Sequence, residues 1–127
     1  MVHNVKLGKN LRSVSIVGVG ATPFMNVVED PRYKGLTNGE LLGYAALDAM
    51  ADAGVEPRDV QFFFHGSANP HVLNGCITPN LQVADWFGMR GKGSLSHSEG
   101  CCTGYIALEE AMFAVASGAY DIVLTGC

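Results

Sequence analysis

Four short strand-like runs alternate with three helical patterns along this chain, and that alternation limits its fold more than any other feature. Ser13–Gly20 (SVSIVGVG) is apolar, β-branched and continuous rather than alternating, the pattern of a strand buried on both faces of a parallel sheet. Val60–Phe64 (VQFFF) and Asp121–Leu124 (DIVL) read as buried strands too, and Ser94–Ser98 as a weaker one, poor in bulk. Thr37–Ala53 carries apolar residues at helical spacing: Leu41, Ala45, Ala49 and Leu42, Ala46, Met50, Ala53. Thr37 and Glu40 make a capping box at its start, and Gly54 with Pro57 just beyond makes a stop. Asn80–Gly88 suits a short helix. Cys101–Ser117 suits a longer, almost wholly apolar one that ends at Gly118. The order β-α-β-α-β-α-β predicts an α/β fold: a mostly parallel sheet with helices on both faces. Ala21–Leu36 and Pro70–Pro79 read as loops, and residues 1–12 as a polar lead-in to a domain over 13–127.

With 127 residues, 48% hydrophobic and only 16% charged, the chain is one globular domain or a piece of one, and composition excludes disorder. Twelve acidic against eight basic residues give a net charge of −4, which argues against a nucleic-acid partner. No apolar run reaches the ~20 residues that span a bilayer, so no membrane partner is expected. Met1–Arg12 mixes Lys6, Lys9 and Arg12 with asparagines and is followed by no cleavage site, which predicts a cytoplasmic location. The helix over Cys101–Ser117 is apolar on nearly every side, through Ile106, Ala107, Leu108, Met112, Phe113 and Val115. A helix of that kind has to be covered all round. A chain of this length cannot do so while also shielding both faces of its sheet, so a fragment, or a subunit completed by another chain, is expected.

Few side chains suggest chemistry. Gly18-Val-Gly20 follows a strand as a dinucleotide fingerprint does, but Pro23 stands where the third glycine belongs and a loop follows, so a tight turn is the better reading. His65 and His71 flank a loop with no third ligand at metal spacing; a structural or interface role is expected, and no metal. Phe62-Phe63-Phe64 reads as sheet core, and Trp86 and Phe87 as helix-to-sheet packing. The cysteines, Cys76, Cys101, Cys102 and Cys127, form no C-x-x-C pair and read as thiols in a reducing compartment.

Ser98-Glu99-Gly100-Cys101-Cys102-Thr103-Gly104 runs straight into the apolar helix. A cysteine in a first helical turn sits among unpaired N–H groups at the positive end of the helix dipole, and both favour the nucleophilic thiolate. Small residues at 103 and 104 leave room for a substrate, and the apolar helix places the cysteine at the bottom of a pocket. Against this, Glu99 brings a carboxylate close by, and buried cysteines often pack as small hydrophobes. On the residues alone both readings stay open.

The strand, then Cys101-Cys102-Thr103-Gly104, then Ala107 and Ala111 on an apolar helix, then Ser117–Gly126 (SGAYDIVLTG) resemble the thiolase superfamily, whose members carry C-x-[ST]-G at the start of a buried helix. Val14–Phe24 is similar to that family's first strand and loop, and Leu41–Pro57 to its first helix; the resemblance runs from Arg12 onward. It is nearest to lipid-transfer-protein-type and acetyl-CoA acetyltransferase-like thiolases, some of which work with a small OB-fold, zinc-binding partner protein. It implies an N-terminal half of the family fold with strand order 3-2-1-4. It also implies Cys101 as nucleophile, with Cys102 on the variable position, and two-step acyl transfer between 3-ketoacyl-CoA and CoA, or the reverse condensation. Coenzyme A and acyl-CoA are then substrates, with no covalently held cofactor. The family's asparagine-histidine motif, GHP-type histidine and C-x-G cysteine have no counterpart here, since neither His65 nor His97 sits in such a motif. Activity would therefore need a complementary thiolase-like chain or the remainder of the same protein, in a homo- or hetero-oligomer. A retro-aldolase acting on a CoA thioester and a non-catalytic scaffold subunit are the alternatives.

Overall fold

The computed structural model describes residues 10–26, 28–69 and 78–127. Its elements are α1 (Asn38–Ala53), β1 (Phe62–Gly66), α2 (Pro79–Trp86), β2 (Gly93–His97), a 3-10 turn (Gly100–Cys102), α3 (Thr103–Ala116) and β3 (Val123–Gly126). The strands form one parallel sheet in the order β2-β1-β3, with Phe62 level with Gly93 and Val123.

Both faces are covered, as the helix–strand alternation predicts. On one side, Leu42, Ala46 and Met50 of α1 and Val83 and Ala84 of α2 close over Phe63, with Val60, Phe87 and Met89. Phe87 meets Phe63 edge-on, 5.2 Å between ring centres. On the other side, Ala107 and Ala111 of α3 lie on Phe64, flanked by Phe62 and Val123. Trp86 differs from expectation. It is 44% exposed and packs helix to helix, because Gly39 of α1 has no side chain: a Cβ there would stand 2.8 Å from the indole.

The ends of α1 are set locally. The Thr37 hydroxyl accepts the Glu40 N–H (3.2 Å), and the Glu40 carboxylate accepts the Thr37 N–H (2.7 Å). These bonds hold the Glu40 carboxyl below its usual range. Gly54 adopts φ +67°, and Val55 N–H returns to the Met50 carbonyl at 3.0 Å. Thr37→Ala is expected to cost about 1 kcal/mol in chemical denaturation and to leave thiol labelling rates unchanged. An unchanged denaturation midpoint would show that the capping box carries no weight.

The largest departure is Ser13–Gly20, which is not a strand. The segment lies across the outer side of α1, and Val19 N–H donates to the Asp52 carboxylate (3.0 Å). Gly18 and Gly20 press so close that a Cβ on either would fall 2.3 and 2.1 Å from the Ala49 and Ala45 carbonyl oxygens. In the expected 3-2-1-4 order this strand separates the strands here named β1 and β3; instead those two pair directly and leave no lane between them. Ile16, Val17 and Val19 consequently face outward, each about two-thirds exposed or more. The remaining strands sit within two residues of the expected spans, and α2 starts one residue early, with Pro79 in its first turn.

Arg12 belongs to the folded body. Its N–H donates to the Ala116 carbonyl (2.9 Å), and its guanidinium reaches the Val115 and Tyr120 carbonyls and the Asp121 carboxylate. A cation on the last carbonyls of α3 suits the negative end of that helix.

Candidate active site at the carboxyl edge of the sheet

Parallel strands present their carboxyl ends together, and α/β proteins bind ligands at that edge. Here it gathers His65 and Gly66 of β1, His97 of β2, Gly126 of β3 and the adjoining Cys127, with the turn that leads into α3 above them.

Gly100 takes φ +59° and reverses the chain after β2. Thr103, 2% exposed, then locks the turn: its hydroxyl accepts the Glu99 N–H (2.8 Å) and donates to the Gly100 carbonyl (2.7 Å). The strand below is held too, since Ser67 N–H donates to the His97 carbonyl at 3.0 Å. Cys101 stands in this 3-10 turn, one residue before the N-cap of α3 rather than inside a continuous helix, and Cys102 is the N-cap residue, with no side-chain capping bond.

Both cysteines are exposed, so the described residues do not place Cys101 at the bottom of a pocket. The inward stripe of α3 is Thr103, Ala107, Ala111 and Ala116, small residues that let the helix settle close to the sheet. The larger Tyr105 and Leu108 face out, 68% and 44% exposed. Covering on every side therefore does not come from the described residues.

Alternation along the strands puts Gly66, its register partner His97, and Cys127 on the α3 side. Gly66 must be glycine: a Cβ would stand 2.8 Å from both Thr103 Cγ2 and Cys127 Cβ. Gly104 is constrained in the same way, with a Cβ falling 2.6 Å from Cys127 Sγ. Cys127 thus seats its sulfur against the first turn of α3, a placement that sequence spacing does not announce. His97 Nε2 and Thr125 Oγ1 are buried and have no partner among the described residues.

His65 lies on β1 rather than in a loop. It is 3% exposed, on the α1 side, with Nδ1 3.3 Å from Ser96 Oγ, and burial pushes its imidazole down to about 4. His71, Cys76 and most of the expected loop Pro70–Pro79 fall outside the described residues. Among the described residues, no three His, Cys, Asp or Glu side chains converge as metal ligands, and no helix is long and apolar enough to cross a membrane.

No family model matches the chain. Among curated proteins it is similar to an acetyl-CoA acetyltransferase of Methanocaldococcus jannaschii, 28% identical over 116 residues that make up 91% of this chain and 28% of that protein. Among solved structures it is similar to acetyl-CoA acetyltransferase from Syntrophomonas wolfei, with a TM-score of 0.74 and 25% identity over 87% of this chain and 27% of that one. The priming β-ketosynthase of the R1128 polyketide pathway shares the fold, with a TM-score of 0.72 and 19% identity over 95% of this chain and 43% of its own. The chain spans little more than a quarter of the length of the curated relative.

Proposed function

We propose that this chain, which belongs to the thiolase superfamily, is the nucleophile-bearing portion of a thiolase-type acyl-CoA acyltransferase, with Cys101 as the nucleophile. One observation carries the reading: Cys101 is an exposed thiol held by a locked turn at the carboxyl edge of a parallel sheet, immediately before the N-terminus of α3. In the thiolytic direction the Cys101 thiolate attacks the C3 carbonyl of a 3-ketoacyl-CoA. The bond between C2 and C3 breaks, acetyl-CoA leaves as its enolate and takes a proton, and the acyl group stays on sulfur. The thiol of a second CoA then displaces Cys101, and condensation is the reverse. The positive end of the α3 dipole favours negative charge developing beside the turn.

The groups that move the α-proton and complete the site come from outside these residues, from the rest of a longer protein or from a complementary thiolase-like chain. The outward Ile16, Val17, Phe24, Tyr105 and Leu108 give such a partner apolar surface to bury. On this reading the working enzyme is an oligomer, and the cytoplasm is its proposed location. A small OB-fold, zinc-binding protein is a further partner by family likeness alone.

Iodoacetamide labelling at neutral pH, followed by peptide mapping, tests the assignment. Cys101 should be alkylated first, and acyl-CoA should protect it. First labelling of Cys76 or Cys127 with Cys101 inert would point to a scaffold subunit. Activity that survives alkylation of Cys101 would point to a retro-aldolase.

A further inference from the structure

We propose that Cys127 is the resolving thiol of the nucleophile turn: mild oxidation joins it to Cys101 in a reversible disulfide that shields the nucleophile and silences the site. The inference rests on the reading of Cys101 given above and adds a modification site to it.

Cys127 Sγ lies 2.6 Å from where a Cβ on Gly104 would stand, and its own Cβ lies 2.8 Å from where a Cβ on Gly66 would stand. Cys101 precedes Gly104 by three residues, across a 3-10 turn and the first turn of α3. Side chains at that spacing share a face, eclipsed in a 3-10 turn and about 5–6 Å apart at Cβ on an α-helix. Cys101 and the sulfur of Cys127 therefore stand over the same side of the same turn, and both residues are exposed.

The competing thiol on this turn is badly placed. Cys102 is two residues from Gly104, and residues two apart on a helix do not face each other. A bond between adjacent Cys101 and Cys102 would close a strained eight-membered ring. Gly66 and Gly104 supply the room: with any larger residue at either position, Cys127 would be driven off the turn.

The oxidant is a hydroperoxide. The Cys101 thiolate attacks one peroxide oxygen, the O–O bond breaks, hydroxide leaves, and Cys101 becomes a sulfenic acid. The Cys127 sulfur attacks the Cys101 sulfur, its S–H proton goes to the departing hydroxyl, and a second water leaves as the S–S bond forms. Two thiols lose two electrons and two protons, and the peroxide is reduced to two waters. A thiol such as dithiothreitol reverses the step by exchange.

The test treats the protein in its native assembly with hydrogen peroxide and maps its peptides without reduction. The expected result is a peptide pair linked through Cys101 and Cys127, with iodoacetamide labelling of Cys101 lost after peroxide and restored by dithiothreitol. In Cys127→Ser the loss should persist through dithiothreitol, with Cys101 found as sulfinic or sulfonic acid. The proposal is overturned if Cys101 labels fast in the reduced protein but peroxide leaves the wild-type residue as sulfinate, or links it to Cys76 or Cys102. The nucleophile reading fails separately, when Cys101 of the reduced protein labels no faster than Cys102, whether or not the linked pair forms.

Discussion

Replacing Cys101 by serine should remove acyl transfer almost completely, by at least about a thousandfold in kcat/KM. A serine hydroxyl at this turn has no thiolate to offer. The substitution should leave folding intact, because the side chain is exposed and the turn is held by Thr103, whose hydroxyl bridges Glu99 N–H and the Gly100 carbonyl. Cys102→Ala should do far less. Cys102 is the N-cap of α3 but caps nothing with its side chain, so no bond is lost. The comparison is made on the assembled enzyme by following thiolysis of a 3-ketoacyl-CoA, with circular dichroism to confirm the fold. A Cys101→Ser enzyme within a few-fold of wild type would remove Cys101 from the mechanism, and a Cys102→Ala enzyme as dead as Cys101→Ser would move the nucleophile by one residue.

What could be read from the sequence is mostly what neighbours in the chain decide. The capping box Thr37–Glu40 and the Gly54 stop are settled within one helical turn, and both stand where the residue pattern puts them. The alternation of strands and helices, the parallel sheet and its two covered faces follow from periodicity and from crossover geometry. The bend at Gly100 and the turn into α3 also lie inside the motif that singled out Cys101.

The features that could not be read depend on surfaces far apart in the chain. Ser13–Gly20 announces an extended apolar segment but not the surface it lies on, and pairing between strands is a long-range choice. The glycines at 18 and 20 were the available signal, since glycine inside a strand pattern marks close approach by another backbone, and both do press on α1. Arg12 looks like part of a polar tail until the end of α3, 103 residues on, offers its carbonyls. Strand ends drift for the same reason: the Gln61 side chain accepts the Asp121 and Ile122 N–H groups, so the pairing of β1 with β3 starts later than hydrophobicity suggests. Cys127 reads as a spare thiol because only the fold sets it against Gly104. The all-round apolar character of α3 predicts burial, and the described residues bury only its small-residue stripe.

Acid should destabilise this protein through His65 as pH falls from 6.5 towards 4. The imidazole is 3% exposed on the α1 side of β1, and its Nδ1 faces the neutral Ser96 hydroxyl at 3.3 Å, with the Phe63 ring 5.6 Å away between centroids. Burial disfavours the imidazolium and lowers the folded-state pKa to about 4, against an ordinary value of 6.5. Above pH 6.5 both folded and unfolded chains hold a neutral ring, and His65 costs nothing. As pH falls from 6.5 towards 4 the unfolded chain takes up a proton that the folded chain refuses, so stability drains away across that window and levels off below it. The loss attributable to this one residue should be about 2–3 kcal/mol by a pH of about 4.5, a large part of the margin of a small domain. Urea denaturation at intervals between pH 7 and about 4.5 measures it, with His65→Gln as the control, because glutamine keeps a polar group for Ser96 and cannot take the proton. The difference between wild type and variant should change with pH over this window by the stated amount, in favour of the variant at the acid end. A difference that stays constant with pH would mean that the folded chain accommodates the charged ring, and that His65 is far less sealed from solvent than its place between β2 and β3 implies.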